Sequence, residues 1–212
     1  MNDDDSKTIL NALGGTRGLL DSGLPALVFL IVFTSTHKLN DAIYAALIVS
    51  AILAIIRLAR KDTLQHALSG LLGVAICAIF SRSTGRAQDF YLPGLIINLV
   101  YGTVYALTNL LGWPILGLVL GPIIGEGTLW RKDPHRKAVY IRAGWIWVGL
   151  FVSRLIVQYP LYRAGAVTEL GIARVIMGWP LFLLAGWLTY LLLRAVPKTQ
   201  ELDEAIPSDP SN

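Results

Sequence analysis

In a chain made largely of apolar residues, the side chains able to do chemistry are the few polar ones that fall inside hydrophobic stretches. Four stand out: Asp21, Asn98, Arg154 and Gln158. A charged or amide group at membrane depth is costly to bury, so it marks a candidate functional position and needs a partner. Asp21 lies just ahead of Pro25 in the first apolar stretch, where a carboxylate suits the positive end of a helix. Its structural expectation is capping, or an ion pair with Arg17, Arg57 or Arg142, which fall near the same depth; a proton or ion role is the sharper alternative. Arg154 is about 9 Å of helical rise from Pro160, and Asn98 about 10 Å from Tyr91 on an oppositely directed stretch, so the two share a depth. Gln158 is one helical turn from Arg154 on the same face. The three are expected to form an interior hydrogen-bonded cluster, the alternative being an Arg154 side chain that snorkels to the interface.

Other signatures of catalysis are missing from the sequence. His37, His66 and His135 have no metal-ligand spacing, and there is neither a Gly-x-Ser-x-Gly elbow nor a phosphate-binding Gly-rich loop ending in Lys-Ser/Thr. The glycines at 14, 15 and 18 lack that context, and the dense run of aspartates that lipid phosphotransferases use to hold divalent cations is missing. The expectation is no catalytic residue, no metal, no cofactor and no enzymatic activity. Cys77, the single cysteine, sits in an apolar run and reads as a small packed hydrophobe.

These positions need a membrane scaffold to hold them. Of the 212 residues, 54% are hydrophobic and 15% charged, against about 25% charged in a typical soluble domain. A bilayer core of about 30 Å takes roughly 20 helical residues, and six stretches meet or approach that: 18–36, 41–58, 64–80, 91–111, 140–160 and 171–193. The expected fold is all-α, a polytopic transmembrane bundle of about six spans. Residues 1–17 read as an acidic tail with a short interfacial helix and no cleavable signal, 18–196 as the membrane domain and 197–212 as a polar tail. The stretch 112–125, apolar but broken by Pro114 and Pro122, is too short to span and is expected to be interfacial or re-entrant.

With the N-terminus in the cytoplasm, twelve of the 18 Lys and Arg residues fall on the inner side. Five, Lys38, Arg82, Arg86, Arg163 and Arg174, fall on the outer side, and Arg154 is left within a span. The positive-inside rule then places both termini in the cytoplasm. The net charge of +4 therefore reports orientation, with the lipid bilayer and other membrane proteins as expected partners and nucleic acid excluded. The openings LPALVFLIVF at 24–33 and LPGLIINLVY at 92–101 also resemble one another, as would the halves of an inverted repeat of three spans each.

The run LGGTRGLLDSGLPALVF at 13–29, with SRLIVQYPLY at 153–162 and ARVIMGWP at 173–180, resembles an uncharacterised actinobacterial membrane family known only as a domain of unknown function. The pattern Leu20-Asp-x-x-Leu-Pro25, followed by Val28-Phe29 and His37-Lys38, is more distantly similar to the intracellular septation protein A family of inner-membrane proteins. The resemblance implies a bacterial plasma membrane and an envelope role, and supplies no catalytic residues. The expected function is a non-enzymatic envelope component acting through protein or lipid contacts; a small-solute or ion transporter or channel built on the inverted repeat is the alternative. If the interior cluster forms, Asn98→Ala and Arg154→Ala will couple by about 0.5–3 kcal/mol in a double-mutant cycle of unfolding.

Overall fold

The computed structural model describes residues 15–60 and 64–196, with side chains over 23–60 and 68–196. The N-terminal foot, the C-terminal tail and the Asp21 side chain lie outside these residues. All described regular structure is helical: α1 (Gly15–Thr36), α2 (Leu39–Ala59), α3 (Leu64–Thr84), a 3-10 turn (Ala87–Phe90), α4 (Leu92–Leu110), α5 (Ile115–Ile123), a second 3-10 turn (Leu129–Arg131), α6 (Pro134–Arg163), α7 (Val167–Ile176) and α8 (Trp179–Arg194).

Among the described residues, three stretches are long and apolar enough to cross a membrane: α2, α6, and α7 with α8 taken together over Val167–Arg194. A fourth is added if α4 and α5, bent by 87°, count as one. The count is thus three to four, against the six expected. Helices do occupy the expected first and third positions, but their described apolar parts, Gly23–Thr36 and Leu68–Thr84, are shorter than a span at 1.5 Å per residue. The segment after α4 is a short helix set off by Gly112 in the left-handed region (φ 70°) and by Pro114 at its N-cap.

The described residues pack as two compact units, one drawn from the chain up to Ile97 with 156–177 and the other from 98–155 with the chain from Gly178 on. This division falls inside α4 and α6, not between the third and fourth helices where the sequence repeat would divide the chain.

In the first unit, α1 and α2 are joined by two residues. His37 takes a positive φ of 53°, which stops α1, and its N–H still reaches the Phe33 carbonyl at 2.8 Å. The Ser35 and Thr36 hydroxyls donate to Ile31 O and Val32 O, both at 2.8 Å, so the end of α1 keeps its carbonyls satisfied. On α2, Ala42, Ala46, Ser50 and Ala54 fall at every fourth position and are buried. On the same helix Ile48 and Ile55 are 58% and 64% exposed. Small residues inward and large apolar residues outward reverse the pattern of a water-soluble helix and match close helix packing in lipid. Phe29 at the core stacks on Phe90 (ring centroids 3.8 Å) and meets Tyr91 edge-on. Gly171 of α7 sits against Leu30 and Tyr91, where a Cβ would meet the Tyr91 hydroxyl at 2.8 Å.

The second unit is organised, among the described residues, around aromatic side chains and a buried ion pair. Tyr105, Trp147, Phe151 and Phe182 form a ring cluster, and the Trp147 indole N–H donates to Thr189 Oγ1 at 3.0 Å. Gly117 and Gly121, one turn apart on α5, lie against Trp130; a Cβ at Gly117 would come within 2.7 Å of the indole ring. Glu126 and Arg136 are both almost fully buried and paired at 2.6 Å. Tyr140 donates to the second Glu126 oxygen at 2.9 Å, and Arg136 also donates to Leu193 O (2.7 Å) and Val196 O (2.5 Å). One guanidinium thus caps the end of α8 and neutralises a buried acid.

Removing only one member of this pair strands a buried charge. Arg136→Met is expected to cost about 3–5 kcal/mol in thermal or denaturant unfolding of the detergent-purified protein. Adding Glu126→Leu should restore only part of it, because the α8 carbonyls still lack their donor.

Candidate functional site

Two cavities among the described residues of the first unit are large enough to hold a ligand. The larger, about 570 Å³, opens at the loop end among Phe33, His37, Arg86, Gln88, Thr168 and Glu169. Its charges are partly engaged with neighbours: in the amide orientation that satisfies both groups, the Gln88 oxygen accepts from Arg86 Nε (3.1 Å) and Nη2 (2.9 Å). Beneath the same loops, Tyr162 donates to the buried carboxylate of Asp89 at 2.6 Å, and the Ser81 hydroxyl donates to Arg86 O at 2.9 Å.

The second cavity, about 380 Å³, is bounded by residues of α1, α2, α3, the Ala87–Phe90 turn, α4 and α7. Its walls are mostly apolar, from Pro25, Leu53, Val74, Phe90 and Pro93, with Ser50, Cys77, Arg57 and Arg174 as polar points. Ile76 and Ile97 also line it and are 48% and 53% exposed, so it opens on a face made of large apolar side chains. Arg174 is the distinctive group. Its guanidinium carbon stands 5.5 Å from the Tyr91 ring centre, and Nη1 lies 3.4 Å from the Tyr91 carbonyl. Gly94 makes this position possible, because a Cβ there would overlap the guanidinium. An apolar chamber with the cationic groups of Arg57 and Arg174 on its wall can hold an anionic amphiphile.

The sequence-predicted positions are also placed. Asn98, Arg154 and Gln158 are all buried, at 5%, 9% and 1% exposure. Arg154 is therefore interior, and its guanidinium carbon stands 5.3 Å from the centre of the Phe182 ring, a cation–π contact. The Gln158 amide nitrogen has no hydrogen-bond partner among the described residues. Cys77, read as a packed hydrophobe, is partly buried on the cavity wall. No group of three or more His, Cys, Asp or Glu side chains able to hold a metal forms among the described residues.

Three participants escaped the sequence reading. Arg174 falls in the apolar stretch 171–193 and counts with the outer charges, but nothing in the sequence singles it out; α7 carries it to the cavity wall. Glu126 and Arg136 are ten positions apart across a loop; the available signal was a lone acid between an apolar Gly-rich stretch and a basic cluster.

Helices with large apolar side chains outside and small residues between them define an α-helical membrane protein. The chain belongs to the family described as protein of unknown function (DUF3159), whose profile matches residues 13–200. No curated protein and no solved structure matches the chain.

Because the Asp89 carboxylate is buried, Tyr162→Phe is expected to cost about 1.5–3 kcal/mol, the range for a hydrogen bond to a charged group. A lowered unfolding midpoint in detergent would register it, and an unchanged midpoint would mean that the contact contributes nothing.

Proposed function

We propose that the chain is a six-span protein of a bacterial plasma membrane, both termini cytoplasmic, acting as a non-enzymatic envelope component through lipid contacts and, secondarily, contacts with other membrane proteins. The observation that carries this reading is the arginine-bearing cavity that opens on an exposed apolar face. Six spans are supported by backbone length: α1 and α3 have 22 and 21 residues, roughly 33 and 32 Å of rise. Orientation is supported by the twelve-to-five distribution of Lys and Arg. The resemblance to actinobacterial and septation-linked membrane proteins supports an envelope setting.

A second reading, a small-solute or ion transporter, draws on the 87° bend between α4 and α5 and on the buried polar residues Asn98 and Arg154. The two readings differ in whether water reaches the interior. A scaffold needs no aqueous path; a transporter does.

Reporter fusions after Arg60, Arg86, Lys137, Arg163 and Lys198 should alternate in, out, in, out, in, and a periplasmic signal at Lys198 would defeat the six-span topology. Single cysteines from 115 to 124, with Cys77 replaced, should react from the cytoplasmic side or not at all. In the same background Asn98→Cys should stay unreactive to a membrane-impermeant thiol reagent; labelling there would favour the transporter.

A further inference from the structure

We infer that the smaller cavity of the first unit holds one anionic phospholipid, its phosphate on the Arg174 guanidinium and one acyl chain along the groove beside α3. This rests on the reading of the protein as a lipid-contacting component and names the lipid class. The charge comes first. Arg174 carries five N–H donors, and among the described residues it has no carboxylate partner, only the Tyr91 carbonyl at 3.4 Å and the Tyr91 ring. A guanidinium on an apolar wall calls for a counter-charge, and its planar fork matches phosphate oxygens two at a time.

The depth agrees. Arg174 is seven residues past Val167, about 10 Å along the helix, so a long side chain reaches the headgroup level of a leaflet whose hydrocarbon is about 15 Å thick. Gly94 fixes where the guanidinium lies, since any side chain there would occupy its place on the first turn of α4.

Below Arg174 the groove has room for hydrocarbon. Gly70 and Gly73 of α3 both line it, and a Cβ on either would meet nothing within 4 Å. Its volume, about 380 Å³, falls at the low end for small-molecule sites. The mouth, flanked by Ile76 and Ile97, opens on apolar surface, so the occupant enters from the bilayer and not from water. An acyl chain satisfies the walls and a phosphate satisfies the cation; no water-soluble anion does both.

The full chain, reconstituted in nanodiscs of phosphatidylcholine alone or with phosphatidylglycerol, gives the test. Native mass spectrometry reports the retained lipid, and N-ethylmaleimide modification of Cys77, the only cysteine and a wall residue, reports occupancy. One phosphatidylglycerol per chain should be retained roughly tenfold over phosphatidylcholine, the order expected for one charge-assisted contact. Cys77 modification should slow to match. Arg174→Gln should abolish the preference, and Arg174→Lys should keep part of it. Gly73→Leu, which enters open space, should expel the lipid, and in phosphatidylcholine alone its unfolding midpoint should match that of the unaltered chain. Equal retention of the two lipids, or a preference unaltered by Arg174→Gln, would overturn the inference and leave the lipid-contact reading standing. No lipid retained, with Cys77 equally reactive in both nanodiscs, would overturn both. Protection of Cys77 by inorganic phosphate alone would replace the lipid with a simple anion.

Discussion

A helix in hydrocarbon satisfies its own backbone, so what holds one such helix to another is how closely they can approach, and small residues set that distance. The Ala42, Ala46, Ser50 and Ala54 ridge of α2, Gly117 and Gly121 against Trp130, Gly144 against Asn109 and Gly171 against Leu30 are instances of one constraint. Each of the glycines brings a neighbouring side chain to within a distance that a methyl group would forbid. The large residues are displaced outward as a consequence, which is why Ile55, Leu110 and Leu183 are more exposed than most of the chain's polar side chains at membrane depth.

Where the helical ladder ends, other groups take over. Hydroxyls of Ser35 and Thr36 close the last turn of α1, and the Arg136 guanidinium closes the last turn of α8. The second solution is the more demanding, because a guanidinium brought to those carbonyls must also be neutralised. Glu126 does this, and Tyr140 occupies the oxygen that Arg136 leaves. The loop carrying Glu126 is therefore tied to the end of α8 through electrostatics, and Gly125 and Gly127, both at positive φ, give the chain the curvature to present the acid there.

Hydropathy and helical rise made the helices legible, since apolar runs bounded by charge show where a helix can lie in lipid. The interior placement of Asn98, Arg154 and Gln158 also follows from polarity within apolar runs. Span counting was less secure: an apolar run continues through helix breaks such as Met177–Gly178, and short helices such as α5 share the composition of spans. Arg174 was illegible for a related reason. A single charge near the start of an apolar run fits a loop or a first turn equally well, and only the chain reversal at Gly165, with its φ of 68°, decides between them. The pairing of Glu126 with Arg136 depends on a loop conformation that carries no periodicity.

The 30 residues of α6 have a further consequence. At 1.5 Å each they measure about 45 Å, well beyond a hydrocarbon core of about 30 Å. Its first turns, with Arg136, Lys137 and Arg142, bear the charge, so the excess length lies at that end. A span meets a thicker membrane by stretching its surroundings, tilting less or sliding; the last is closed to α6, because Arg136 near its start is held to Glu126 and the end of α8, and Tyr162 near its other end is held to Asp89. A change in bilayer thickness is therefore met around the helix and not along it, and the spare length at its charged end stays with the buried Arg136–Glu126 pair.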